Sequence, residues 1–252
     1  MGASFSLSAL QGIPEIAAGD DLAAILSVAL ATEAEAGDLL VVAQKIVSKA
    51  EGRSVDLLTV TPSPTALELA GITGKDARLV EVILSESSQV LRAQRGVLIV
   101  RHRSGYVMAN AGIDRSNVPS PAGEERVLLL PRDADASAAK LAGDLQRRFF
   151  ISLGIIISDS FGRPWRNGVV NVALGAAGLP ALIDRRGEPD LYGRSMKVTQ
   201  VAVADALAAA AGLVMGEGDE GLPAVLVHGL SWKAAPCNAQ ALIRPLAEDM
   251  FK

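Results

Sequence analysis

Three short aliphatic runs limit what this chain can fold into more than any other feature: Leu39-Leu40-Val41-Val42-Ala43, Gly154-Ile155-Ile156-Ile157-Ser158 and Ala224-Val225-Leu226-Val227-His228. Each is too short for a buried helix, is rich in branched side chains, and so reads as a β-strand. Between them the period changes. Ala138, Leu141, Ala142, Leu145 and Phe149 recur at three- and four-residue spacing, the stripe of an amphipathic helix. Strand and helix signals alternate without a clean repeat, which implies an α+β or mixed α/β fold and not a regular doubly wound sheet.

The remaining elements follow from local chemistry. Asp21 is placed to cap a helix over residues 22–31. Residues 44–51 form a helix directly after the first strand, closed by Gly52. Helices are expected over 65–70, 77–91 and 198–213, and a terminal helix over 239–250 restarted at Pro245. Strands over 97–101 and 106–109 flank Ser104-Gly105 as a hairpin, and a strand over 127–130 ends at Pro131. Residues 167–180, rich in Gly and Ala, show no clear period. The Pro/Gly/Ser stretch 118–123 and the segment 185–193 are too short to join freely moving domains. Residues 1–252 therefore read as one domain.

Composition excludes several function classes. The formal net charge is -4, so the chain has no general attraction for nucleic acid, and any polyanion must be held by a local site. The single cysteine, Cys237, rules out a disulfide within the chain and suits a reducing compartment; it reads as a buried or idle thiol. Residues 1–10 lack the basic start and apolar run of a secretory signal. No apolar stretch reaches the ~20 residues that span a bilayer; the longest, 198–215, carries Gln200 and Asp205. A cytoplasmic protein without a membrane partner is expected.

Four clusters place polar groups where strands end, the positions at which a rigid sheet can hold chemistry. In Ser158-Asp159-Ser160-Phe161-Gly162-Arg163-Pro164-Trp165-Arg166, an apolar strand is expected to deliver Asp159 and Ser160 into a loop. A carboxylate beside a hydroxyl suits Mg²⁺ or Mn²⁺, which prefer oxygen ligands. Arg163 and Arg166 can clamp carboxylate or phosphate oxygens. The same residues also suit a plain turn with solvated arginines. In Ala111-Gly112-Ile113-Asp114-Arg115-Ser116-Asn117, Asp114 suits a metal and Asn117 a base, ribose or phosphate, although both are ordinary turn residues. In residues 44–52, Lys45, Ser48 and Lys49 on a helix that follows a strand make either a phosphate site or an exposed face. Met215-Gly216-Glu217-Gly218-Asp219-Glu220-Gly221 combines acids with glycines that permit close backbone approach, or is a flexible acidic turn. There is no Walker A spacing, no dinucleotide glycine signature, no His-Glu-x-x-His and no cysteine pair for zinc. The two histidines, His102 and His228, each end a strand-like run and read as structural.

Taken in order, these segments resemble the coenzyme F420-0:L-glutamate ligase family, also called F420:gamma-glutamyl ligases. The carrying residues are Gly12-Ile13-Pro14-Glu15-Ile16, Gly37 to Val42 with Lys45 to Gly52, Ala111 to Val118, Ser158 to Gly168, and Tyr192-Gly193. The resemblance spans nearly the whole chain, and the joint order is specific where each segment alone is not. It implies GTP as phosphate donor, two divalent cations (Mg²⁺ or Mn²⁺) with room for a monovalent cation such as K⁺, and gamma-linked addition of L-glutamate to coenzyme F420-0. It implies that Ile13, Pro14, Glu15, Ile16, Gln44, Lys49 and Asn117 contact the nucleotide, with Met215, Gly216, Glu217 and Gly218 in a loop running to Leu222. Asp114 and Asp159 match metal ligands, Ser160 a ligand of the second metal, and Glu217 a further metal-side residue. Gln44 stands where Ser or Thr is expected. The resemblance also implies an unusual fold of two intertwined subdomains and a homodimer. Some relatives carry a C-terminal flavin-reductase-like domain, which a chain ending at Lys252 is expected to lack.

The chemistry implied is acyl activation. A carboxylate does not react with an amine at neutral pH, so a γ-phosphoryl group first converts it to an acyl phosphate. Asp114, Asp159 and Lys49 are the expected catalytic residues, and Arg163 and Arg166 the expected holders of the acidic precursor or of glutamate. Two other readings use the same residues: a metal-dependent GTP hydrolase or phosphotransferase, and a nucleotide-binding protein without catalysis.

Overall fold

The computed structural model describes residues 4–30, 33–118 and 122–249. Along the chain, the first stretch contains β1 (Ser6–Ala9), α1 (Leu22–Leu30), β2 (Leu39–Ala43) and α2 (Gln44–Ala50). The second contains β3 (Ser54–Asp56), α3 (Pro64–Thr73), α4 (Ala77–Ser85), β4 (Ser87–Gln94), β5 (Val97–His102), β6 (Val107–Ala109) and β7 (Arg126–Leu128). The third contains α5 (Ala134–Phe149), β8 (Gly154–Arg163), β9 (Arg166–Ala177), β10 (Leu182–Asp184), β11 (Gln200–Ala202), α6 (Val203–Met215) and β12 (Ala224–His228). The expected helix end at Ala31, the middle of the 118–123 stretch, Met250 and both chain ends lie outside the described residues.

The three aliphatic runs lie side by side. The main sheet has five strands in the order β1-β12-β2-β8-β9. β2 and β8 pair in parallel, Leu39 to Ala43 against Gly154 to Ser158, and the other pairs are antiparallel. Strand alternation sends Leu40, Val42, Ile155, Ile157 and Leu226 into a core under α1, α2 and α5. It sends Leu39, Val41, Ile156, Val225 and Val227 into a second core under α6. Because both faces are covered, these strands are aliphatic throughout and do not alternate with polar residues. Each such fully buried side chain stabilises the fold by roughly 1.5–3 kcal/mol.

A smaller unit is inserted between α2 and α5. It comprises the sheet β4-β5-β6, the β3-β7 pair and helices α3 and α4, around Leu57, Val80, Ile83, Leu98, Val100 and Val127. The expected hairpin is present as β5-β6, Ile99 opposite Ala109. The chain thus has helices and several sheets, as expected of an α+β arrangement.

Several boundaries differ from expectation. β8 does not stop at Ser158 but continues to Arg163, and residues 166–177 form its antiparallel partner β9. Asp159 and Ser160 are therefore strand residues and not loop residues. Pairing across the hairpin, Asp159 with Val172 and Ser160 with Asn171, overrides the weak β-propensity of Asp, Ser and Gly. The 77–91 helix ends at Ser85, and Ser87 onward becomes β4, paired along β5. The 198–213 helix begins at Val203, because Gln200–Ala202 pairs with β10. The 65–70 helix extends over Pro64–Thr73, with the Ser63 hydroxyl capping Ala66 N–H at 3.3 Å. The terminal helix is absent among the described residues. Two short 3-10 turns, Ala239–Leu242 and Leu246–Glu248, replace it. Pro245 blocks continuation, and Asp135 accepts the Ala239 N–H at 2.8 Å and the Gln240 N–H at 3.2 Å.

Both histidines are tied into the structure. His102 is buried, its Nδ1 accepting from Ser104 N–H at 3.0 Å, and His228 Nδ1 lies 2.9 Å from Asp38 Oδ2. The Cys237 sulfur lies 3.4 Å from the Leu182 N–H that it accepts from. No helix among the described residues is long and apolar enough to cross a membrane.

Candidate active site

A cavity of about 630 Å³ opens where β2 passes into α2, where β8 leaves the apolar core, and where α6 ends. Its wall includes Ile13, Pro14, Glu15 and Ile16; Gln44, Lys45 and Lys49; Asn117; Ser158, Asp159 and Ser160; and Met215, Gly216, Glu217 and Gly218. All eleven residues expected to contact a nucleotide therefore line one space.

The sheet positions the acidic side. Ile155, Ile157 and Asp159 share a strand face, so Asp159 follows the core isoleucines to the point where apolar packing ends. A register shift between Ile157 and Ser158, with Gly175 and Ala173 opposite, leaves Ala173 N–H to Asp205 Oδ1 at 2.9 Å. Ser158 is buried, and its Oγ has no hydrogen-bond partner among the described residues. Burial pushes the Asp159 carboxyl up to about 7. The Ser160 backbone amide opposes this, Asp114 and Glu217 add to it, and the Lys45 ammonium pulls the other way. Asp114 and Asp159 thus feel each other across the site, although 45 positions of sequence separate them.

Asp114 itself does not line the cavity wall. Its Oδ2 pairs with Lys45 Nζ at 2.6 Å, and its Oδ1 accepts from Ser116 N–H at 2.7 Å and Ser116 Oγ at 2.8 Å. Burial raises the Asp114 carboxyl, but Lys45 and Ser116 outweigh it and hold it below the usual carboxylate value. Asp114 is thereby an anion at neutral pH.

Helix α2 supplies the basic side. Lys45 and Lys49 are one turn apart and lie on the same face. Lys49 Nζ is 3.8 Å from Glu15 Oε1, and the Lys49 side chain is mostly buried. Gln44 is buried; its carboxamide oxygen accepts from Ser48 Oγ at 2.8 Å, so its nitrogen is the group left to donate to a ligand. Asn117, in the left-handed conformation that asparagine tolerates, donates to Gly218 O at 3.4 Å across 101 positions. Gly216 also has positive φ, and a Cβ there would collide with the Glu220 carboxylate. That carboxylate accepts from Gly218 N–H at 2.8 Å, so the loop after α6 folds on itself.

Arg163 and Arg166 are not on the cavity wall. They flank the turn of the β8-β9 hairpin, where Arg163 Nη2 donates to Asn167 O at 3.0 Å. Lys45, which the sequence groups with Ser48 and Lys49 as a phosphate site or an exposed face, lines the cavity and is tied to Asp114, a link that is purely tertiary.

The donor set decides which ligands fit. Asp114, Asp159, Ser158 and Ser160 offer only oxygen, the chemistry of Mg²⁺ or Mn²⁺. Among the described residues no group of three or more His, Cys, Asp or Glu converges. Two carboxylates are still enough for Mg²⁺, which commonly completes its shell with water and phosphate oxygens. The buried Ser158 hydroxyl, without a hydrogen-bond partner among the described residues, gives this set a further oxygen donor.

Residues 12–229 match the model of a family described as F420-0:Gamma-glutamyl ligase. A "Coenzyme F420:L-glutamate ligase" of Methanothermobacter thermautotrophicus is 48% identical over 252 residues, covering 98% of each chain. A protein of the same name from Methanopyrus kandleri is 48% identical over 93% of this chain and 92% of its own. Another, from Archaeoglobus fulgidus, is 42% identical over 96% and 94%.

Proposed function

The chain belongs to the F420-0:gamma-glutamyl ligase family, and from that premise we propose that it joins L-glutamate to coenzyme F420-0 with GTP as the phosphoryl donor and divalent metal ions at Asp114 and Asp159. It is an amide-forming ligase by its kinship. The observation that carries the finer reading is the convergence, on one cavity, of a lysine pair and a buried carboxylate drawn from segments far apart in sequence.

The residues divide the work by charge. Ile13 to Ile16 and the 215–218 loop line the space for the nucleoside, and Asn117 donates to Gly218 O, which ties its own segment to that loop. Lys49 is placed to hold the triphosphate and to stabilise charge on the leaving diphosphate. Metal ions held by Asp114 and Asp159, with Ser160 next along the strand, would neutralise the transferring phosphoryl group, and Glu217 lines the same cavity. The precursor carboxylate attacks the γ-phosphorus and GDP leaves. The glutamate amine then attacks the acyl carbon, releases phosphate and forms the amide. Arg163 and Arg166, beyond the cavity at the hairpin end, are assigned to the acidic co-substrates. The reading carries with it a cytoplasmic homodimer, which light scattering on the purified protein would test.

The assay is purified protein with F420-0, GTP, Mn²⁺ and glutamate, with products followed by mass. Glutamate-dependent release of GDP with a product one glutamyl residue heavier supports the ligase. Glutamate-independent GDP release means a hydrolase, and binding without turnover means a non-catalytic nucleotide protein.

A further inference from the structure

We infer that Lys45 is a resident counter-cation: its ammonium neutralises Asp114 in the absence of metal and yields it when a divalent ion enters. This rests on the reading of Asp114 and Asp159 as metal ligands.

The geometry is that of a cation seat already filled. Lys45 Nζ lies 2.6 Å from Asp114 Oδ2 and 2.9 Å from Ser116 Oγ, and Lys45 lines the cavity beside Asp159. Ser116 also donates twice to Asp114 Oδ1, so that side of the carboxylate is taken by the loop and the ammonium has the other. The pair is only partly exposed, the side chains retaining 27% and 32% of their accessible surface. At that depth the Asp114 carboxylate gains more from an adjacent cation than it would in open water, because the effective dielectric is well below that of water.

A divalent ion needs carboxylate oxygen at roughly 2.0–2.1 Å for Mg²⁺. An ion on Asp114 Oδ2 would lie close to the ammonium already in contact there, and the two cations would repel. Metal entry is therefore an exchange. The flexible four-carbon stem lets the ammonium swing while its Cα stays in α2. Lys49 lies one turn away on the same face, so a displaced Lys45 joins it on the side where phosphate charge would arrive. The exchange makes metal binding weak in the empty enzyme and stronger once a polyphosphate offers Lys45 another partner.

The test is Mn²⁺ binding to nucleotide-free protein, read from the electron paramagnetic resonance signal of free Mn²⁺, for wild type, Lys45→Met, Lys45→Gln, Lys45→Arg and Asp159→Asn. Both neutral variants should bind Mn²⁺ at least ~10-fold more tightly than wild type, the effect of removing about 1.4 kcal/mol of competition. They should also melt at lower temperature in EDTA and regain stability with Mn²⁺. Lys45→Arg should stay near wild type. Unchanged or weaker Mn²⁺ binding in both neutral variants overturns the inference while leaving the metal site standing. Absence of Mn²⁺ binding in wild type and Lys45 variants alike, or undiminished binding in Asp159→Asn, removes the metal site itself and the inference with it.

Discussion

Asp159 shows how a single side chain can be shaped by its place at a strand end. Burial pushes its carboxyl up to about 7 against an ordinary value of 3.8, so without metal the folded protein holds a proton that the unfolded chain releases. A group raised in this way contributes most below about pH 3.8, and the contribution is lost as the pH rises through about 7. In EDTA, wild type should therefore lose stability relative to Asp159→Asn between pH 4 and pH 8, as read by urea denaturation at each pH. A flat difference would show that Asp159 is ionised throughout. Saturating Mn²⁺ should abolish the slope, since a bound cation favours the carboxylate. Lys49 acts at the same scale: Lys49→Ala should weaken GTP binding by about 1–3 kcal/mol, the range of a charge-assisted hydrogen bond. Wild-type affinity in calorimetry would remove Lys49 from the nucleotide site.

Among the elements, the β8-β9 hairpin does most to build the site. It carries Asp159 and Ser160 out of the core, and its neighbours are pinned by carboxylates that accept backbone amides. Asp205 takes the Ala173 N–H that the register shift releases. Asp135, in the first turn of α5, accepts from Ala176 and Ala239, each at 2.8 Å, and from Gln240 at 3.2 Å. One side chain thus joins helix, sheet and the segment after β12. Gly175 allows that close approach, since a Cβ there would strike the Ala134 backbone carbonyl. Asp135→Ala should destabilise the fold by about 1.5–3 kcal/mol, measured by urea denaturation. It should also expose the 239–248 segment to proteolysis before the rest of the chain; an unchanged midpoint would mean that packing alone seats that segment.

The whole molecule couples its units through the cavity. The chain leaves the main sheet after α2, builds the smaller unit, and returns at α5. Among the described residues, only Asn117 and Val118 reach the cavity wall from the segment between them, and Asp114 is paired with Lys45 of that wall. A ligand that binds only when these parts are together must stabilise all of them. GTP with Mn²⁺ at 100 times its dissociation constant should raise unfolding free energy by about 2.7 kcal/mol. It should do so in a single transition; two separated transitions in calorimetry would show that the smaller unit melts independently of the site.

The local signals were strong where one interaction decides the outcome. Leu39–Ala43 and Ala224–His228 are strands with the boundaries that their apolar runs mark, because burial on both sheet faces requires an unbroken aliphatic segment. The stripe along α5, the Gly52 that follows α2 and the β5-β6 hairpin were legible for the same reason: each is specified by residues within a few positions of one another. Segments whose partners lie far away were not. Asp159 and Ser160 look like loop residues until β9 pairs with them, and residues 239–250 carry a helical pattern that Pro245 and Asp135 defeat. The mixed fold, its central strands and the oxygen-bearing and basic residues that line the cavity were legible along the chain. Only tertiary structure decided that Lys45 would sit on Asp114 and that Asp114 and Asp159 would share one electrostatic field, because such contacts depend on how sheets and loops come together and leave no trace in spacing along the chain.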